Sequence, residues 1–231
     1  KDRDGVRSEL IRAIRMVGVI TVPSGMAFFL LGPLMTSTIF LGIPYEDGLY
    51  MGYVLSALGV GLVTFSINLI LLRGFNAFED TKTQVPSIIL INVISIALSY
   101  LFLQILDPKW VTVGLGAAFS ISYVLGLPYT LHLLKRHTGE LHIREFLGQH
   151  LKLILASFIA MFPLYLIAQF WQGINETSPL PIRLLELLVF IVLGAIGYFA
   201  LAQRMKVAEI GVLMEYLPGL KGLNRKAKKD K

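Results

Sequence analysis

The sequence contains no cysteine among its 231 residues. Disulfides and thiolate metal sites are therefore excluded, and redox chemistry gives no hint of compartment. Charge is also scarce, at 16% of residues against 55% apolar, whereas an ordinary soluble domain carries about 25% charged side chains. No Walker loop, no GxSxG elbow and no acid pair set within an apolar stretch occurs, so the familiar signatures of phosphate-loop and hydrolytic chemistry are missing. The four histidines, His132, His137, His142 and His150, surround one connection without an HExxH pattern. Solvated or titrating histidines at an interface account for them better than metal ligands do, and no metal or cofactor is expected. The chain opens KDRDGVRSEL, with neither an initiator Met nor a short apolar core ahead of a cleavage site. No signal peptide is expected, and the chain reads as a piece of a longer one.

Long apolar runs are what the sequence has in quantity, and its mean hydropathy is +0.69. A bilayer core of about 30 Å needs roughly 20 apolar residues in helical form. Six stretches satisfy this, at residues 17–40, 51–72, 85–106, 111–134, 153–171 and 183–202. They lack the alternating polar pattern of barrel strands, so helices are the form that satisfies the backbone in lipid. The expected fold is an all-α integral membrane region of six transmembrane helices.

Orientation follows from the placement of Lys and Arg. Residues 1–16, the 73–84 and 135–152 connections and the tail after Gln203 together hold nineteen, and the opposite connections hold only Lys109 and Arg183. By the positive-inside rule both termini are cytoplasmic. The net charge of +6 thus marks topology and anionic membrane lipids, and no nucleic acid is expected as a partner. The chain divides into a cytoplasmic interfacial segment at 1–16, a transmembrane region at 17–203 and a basic cytoplasmic tail at 204–231. From the first into the start of the second, Val6, Leu10, Ile14 and Val17 recur at helical spacing, as suits a helix on an anionic leaflet. The tail carries Ile210, Leu213, Met214 and Leu217 and then a basic run. That run is most simply a solvated flank enforcing topology, with a lipid or cytoplasmic protein partner as the alternative.

Polar residues inside the apolar runs are few. Asn92, Ser95 and Ser99 share a face of the third span, and Thr64 and Asn68 stand four apart on the second. Such faces point at other helices or at a wet cavity, and helix-to-helix adhesion is the simpler reading. Gly59 with Gly61, Gly114 with Gly116, and Gly194 with Gly197 permit close backbone approach. Arg183 and Glu186, three apart at the outer edge of the sixth span, are expected to form a surface ion pair, with a part in gating or headgroup contact as the alternative.

The stretch LLRGFNAFEDTKTQVP, residues 71–86, places Arg73, Glu79, Asp80 and Lys82 in a tight turn between the second and third spans. These four can pair among themselves or meet lipid phosphate. Asp80 or Thr81 is the expected cap of the third helix, with Pro86 accepted in its first turn. The stretch resembles the corresponding loop of the MurJ (MviN) lipid II flippases, within the multidrug/oligosaccharidyl-lipid/polysaccharide exporter superfamily. Arg73, Phe75, Ala77, Asp80, Thr81, Lys82 and Thr83 match the loop pattern. Asn76 stands where an aromatic is usual, and Gln84 and Val85 delay the proline by two places.

The resemblance implies that the six spans are helices 9 to 14 of a fourteen-helix flippase in the bacterial cytoplasmic membrane, with the last two, 153–171 and 183–202, forming a groove for the lipid tail. It implies translocation of lipid II, the undecaprenyl-pyrophosphate-linked peptidoglycan precursor, by a transporter rather than an enzyme. It supplies neither a coupling ion nor a driving force. Within this chain the implied substrate-contacting or gating residues are Arg73, Glu79, Asp80 and Lys82, and the intramembrane polar candidates are Asn68, Asn92 and Glu186. A purely structural turn is the competing account of the loop. Two other functions stay open: another flippase or a drug antiporter of the same superfamily, and a membrane scaffold whose tail recruits a partner.

Overall fold

The computed structural model describes residues 3–40, 42–139, 143–170 and 178–211, without the side chains of 143–145. Expectations that fall on His142, on position 171 and on the tail from 212 onward, Leu213, Met214 and Leu217 included, lie outside the described residues. Within them the chain is all-helical, with α1 (Arg3–Ile39), α2 (Tyr45–Ala77), α3 (Thr81–Ile105), α4 (Val111–Thr138), α5 (Ile143–Phe170) and α6 (Leu180–Arg204). A 3-10 turn at Pro108–Trp110 joins α3 to α4. All six helices are long and apolar enough to cross a membrane. At a rise of 1.5 Å per residue even 25 residues reach about 38 Å, more than the hydrocarbon core requires.

Successive helices run in opposite directions, so the start of α1, the α2–α3 turn and the end of α6 share one end of the bundle, called here the basic end. Two helices of apolar surface gain nothing from lipid exclusion and must adhere by close packing and hydrogen bonds. The α1–α2 pair does so through glycine. A Cβ on Gly52 would fall 2.2 Å from Pro33 Cα, one on Gly25 2.8 Å from Gly59 O, and one on Gly48 2.8 Å from Ser37 Cα. The two backbones therefore touch along most of their length. Hydroxyls complete the seam, Ser56 Oγ donating to Phe28 O at 3.0 Å and Thr36 Oγ1 to Gly48 O at 2.7 Å. On α2 the paired glycines serve different neighbours. Gly59 meets α1, while Gly61 lies against Ser120 of α4, whose hydroxyl donates to Ala57 O at 2.6 Å.

Helix α4 packs between α2 and α3, and α3 lies on the outside with only Ser87 and Ile91 buried. On the other side of α1, α5 and α6 form a pair that rests against it. At the end opposite the basic one, Trp110 sits against Tyr50 and Tyr53, with ring centroids 6.3 and 5.5 Å away. This is the kind of aromatic cluster that anchors a membrane surface.

The structure differs from the sequence reading at the start of the chain. No break separates the amphipathic segment 1–16 from the first span, because α1 is continuous from Arg3. Its apolar stripe is turned to protein rather than to a leaflet. Leu10 and Ile14 are buried with Leu71, Phe75, Leu134 and Phe146 of α2, α4 and α5. The sequence shows the stripe but not the partner that covers it.

Candidate functional site

The α2–α3 turn is built as two helix ends back to back. Helix α2 closes with Asp80 N donating to Phe75 O at 3.1 Å and Glu79 N to Asn76 O at 3.0 Å. This paired closure needs a left-handed residue between the two bonds, and Glu79 supplies it at φ 58. Asp80 then caps α3, its Oδ1 accepting from Thr83 N at 3.0 Å and its Oδ2 from the Thr83 hydroxyl. The same carboxylate faces His137 Nε2 of α4 at 2.8 Å. These hydrogen bonds, those from Thr83 first, hold the Asp80 carboxyl below its ordinary value. His137 stacks on Phe78, ring centroids 5.4 Å apart, and Phe75 is completely buried beneath. The motif residues Phe75 and Asp80 thus fasten the turn to α4, and Thr83 holds the Asp80 carboxylate.

Arg73, Glu79 and Lys82 are exposed. Lys82 occupies the second position of α3 and has no ion-pair partner among the described residues. Of the four charged residues of the turn, Asp80 pairs with His137 of α4. Pro86 is the sixth residue of α3 rather than part of its first turn. Arg73 and Glu79 stand at the rim of a cleft of about 670 Å³ whose floor is Val6, Leu10, Ile70 and Gly74.

The intramembrane candidates separate. Asn68 is buried, accepting from Thr130 Oγ1 at 2.9 Å, and Thr130 in turn contacts Ser87 Oγ, so α2, α4 and α3 are joined by one polar chain. Such bonds in lipid average about 0.6 kcal/mol and reach about 1.7. Asn92 points away from the bundle, its side chain donating to its own helix at Ile88 O, 2.7 Å. Glu186 does not pair with Arg183. The Arg183 guanidinium donates instead to Ser37 O and lies over the Tyr45 ring at 5.0 Å. It therefore fastens α6 to the end of α1 and the start of α2.

A second fastening, absent from the sequence reading, lies at the basic end. Tyr198 Oη donates to Val19 O at 2.7 Å. One turn further on, Arg15 Nε donates to Gln149 Oε1 at 2.5 Å and meets Glu209 Oε1 at 2.6 Å, while Gln149 Nε2 donates back to Arg15 O at 3.1 Å. His150, next to Gln149, is buried rather than solvated. Residues this far apart in the chain carry no shared pattern by which the cluster could be found. Between the two fastenings α1 and α6 part to leave an apolar groove of about 260 Å³, lined by Ser24, Leu31, Phe190, Gly194 and Tyr198, with Met161 of α5 below. The Ser24 hydroxyl is turned to its own backbone at Ile20 O, 2.8 Å. The groove lies between α6 and α1, with α5 contributing Met161.

Among the described residues no group of three or more His, Asp or Glu could hold a metal ion. The arrangement offers instead a rigid charged turn at one end and an apolar slot within the membrane, a combination suited to an amphiphile. A family model described as lipid II flippase MurJ matches residues 1–190. A curated protein named lipid II flippase MurJ, from Thermosipho africanus (strain TCF52B), is 26% identical over 218 residues. That alignment covers 90% of this chain and 41% of the relative, so the chain spans less than half the length of the protein it matches. With a family model covering most of its length and six helices able to cross a membrane, this multi-pass membrane chain belongs to the lipid II flippase MurJ family.

Proposed function

We propose that this chain is the C-terminal portion of a flippase that carries lipid II across the bacterial cytoplasmic membrane, its six helices being the ninth to fourteenth of the intact protein. Both termini of the segment face the cytoplasm on this reading, which rests on the bias of Lys and Arg. A pyrophosphate-sugar-peptide head cannot enter hydrocarbon without polar compensation, whereas its polyprenyl tail can remain there throughout. The intact transporter must therefore separate a polar path for the head from an apolar one for the tail. The observation that carries the proposal is the apolar groove between α1 and α6, closed at both ends by polar contacts. It is the tail's seat. Arg73 and Lys82, exposed beside the turn, meet the phosphate of the precursor or of anionic lipids.

Few cations lie within the described membrane interior of this segment, so the polar path requires the helices that precede it in the intact protein. Reconstitution tests this directly. The intact protein in liposomes should make lipid II accessible to an impermeant reagent on the far side, and residues 1–231 alone should not. Substrate-specific flipping by the 231-residue chain, or none by the intact protein, would contradict the reading.

A further inference from the structure

The polar cluster at the basic end holds two buried atoms without a hydrogen-bond partner, His150 Nε2 and Glu209 Oε2. His150 is 5% exposed. Its other ring nitrogen, Nδ1, lies 2.7 Å from Phe146 O. A carbonyl can only accept, so Nδ1 carries the hydrogen, and in the neutral ring Nε2 is left with a lone pair. Glu209 Oε2 is likewise an acceptor. Two acceptors buried together are incomplete, and what completes them is a hydrogen donor.

A proton taken up by the imidazole would supply that donor at Nε2. Glu209 is within electrostatic range of His150, but the two are too far apart for a direct ion pair in this arrangement. From α1 the facing charged group is Arg15, and from the segment after α6 it is Glu209. Lys152 on α5 and Lys206 are exposed, and Glu9 and Arg12 approach each other at 4.0 Å on the exposed part of α1. The Arg15 side chain is 32% exposed, so the cluster opens to solvent on one side. Space for the ring exists because residue 18 is glycine, where a Cβ would fall 2.5 Å from His150 Nε2.

We propose that His150 is a proton-binding site, and that its charged form donates from Nε2 to the free Oε2 of Glu209 while Arg15 keeps Oε1, tightening the link between α1, α5 and the end of α6. The proton adds to the free Nε2 lone pair, and Nδ1 keeps its hydrogen bond to Phe146. The Arg15–Glu209 pair through Oε1 is kept, and a His150–Glu209 pair through Oε2 is added. The consequence for transport, a groove wall held more tightly at one end, rests on the flippase reading. Proton binding itself does not.

The test uses the intact protein in lipid nanodiscs, labelled with 15N-histidine, the His150 resonance being assigned by its loss in His150→Gln. Between about pH 8 and pH 5 that resonance should pass from the Nδ1–H neutral form to the doubly protonated form, and Glu209→Gln should displace the midpoint. Spin labels at Ser8 and Gln203, on the exposed ends of α1 and α6, should draw closer as pH falls over the same range in the parent but not in His150→Gln. A ring that stays neutral throughout, a midpoint unchanged by Glu209→Gln, or a label distance indifferent to pH in the parent would overturn the proposal. If His150→Gln does not fold, the parent distance series and the Glu209→Gln titration decide. Neither readout depends on lipid II transport, so failure of the flippase reading would be seen separately.

Discussion

Asp80 and His137, 57 residues apart in sequence, meet at 2.8 Å across the gap between the α2–α3 turn and α4. One carboxylate thereby ends a turn, begins a helix and holds a neighbouring helix. Replacing Asp80 by Ala should lower the thermal stability of the intact protein in detergent, and Asp80→Asn should lower it less, because the amide oxygen can still cap Thr83 N. The pH dependence has a definite sign. A carboxyl held below its ordinary value stabilises fully above about 3.8 and loses that stabilisation as pH falls through the lowered value. The difference between parent and Asp80→Ala should therefore shrink in strong acid. An unchanged melting profile for Asp80→Ala would mean that the turn is held by Phe75 and Phe78 alone.

Lys82 opposes its own helix. A cation in the first turn faces the positive end of the helix dipole, at a cost of about 0.3–1 kcal/mol. Lys82→Glu should therefore raise stability slightly while impairing growth when it replaces the parent in a depleted strain. Lys228→Glu, in a redundant basic run, should leave growth unchanged at equal membrane abundance. A variant at 82 that is both more stable and fully functional would reduce Lys82 to a marker of topology.

Glycines separate into packing and surface positions. Gly52→Ala drives a methyl into the Pro33 backbone and should prevent close α1–α2 packing, lowering yield or melting temperature sharply. Gly148, where a Cβ meets nothing within 4 Å, should gain about 0.5–1 kcal/mol as Ala, since glycine is a poor helix former. Thermal melts of the two variants side by side check both. Similar behaviour would mean that the α1–α2 seam does not hold in the intact protein.

The six spans were legible because lipid imposes length and apolarity on each helix separately. The cap at Asp80 was legible for the same reason, being local to the turn. What could not be read depends on which helices meet. The choice of Ser37 and Tyr45 over Glu186 by Arg183 is set by how α6 crosses α1. The outward placement of Asn92, beside inward Ser87 and Ile91, follows from α3 having a single principal neighbour. The apolar stripe of α1 was plain, but a stripe at helical spacing fits a leaflet and a protein groove equally well. Arg15, Gln149 and Glu209 come from three elements and share no sequence pattern at all.

Topology can be checked with single cysteines, because the native segment has none. In the intact protein freed of other cysteines, Lys82→Cys should resist an impermeant reagent added outside whole cells, and Glu46→Cys should react. Labelling of position 82 from outside would invert the bundle and move the basic end away from the side where lipid II is made.

The most direct measurement of the central claim places a photoactivatable residue in the groove of the intact protein, at Ser24 or at Ile191, and supplies lipid II labelled in its polyprenyl tail. A control goes on the outer face of α3 at Ile96, which is 69% exposed. The account predicts tail adducts at Ser24 and Ile191 well above those at Ile96, and their competition by unlabelled lipid II but not by an ordinary phospholipid. Equal labelling at all three positions, or groove labelling that phospholipid removes as readily, would contradict it.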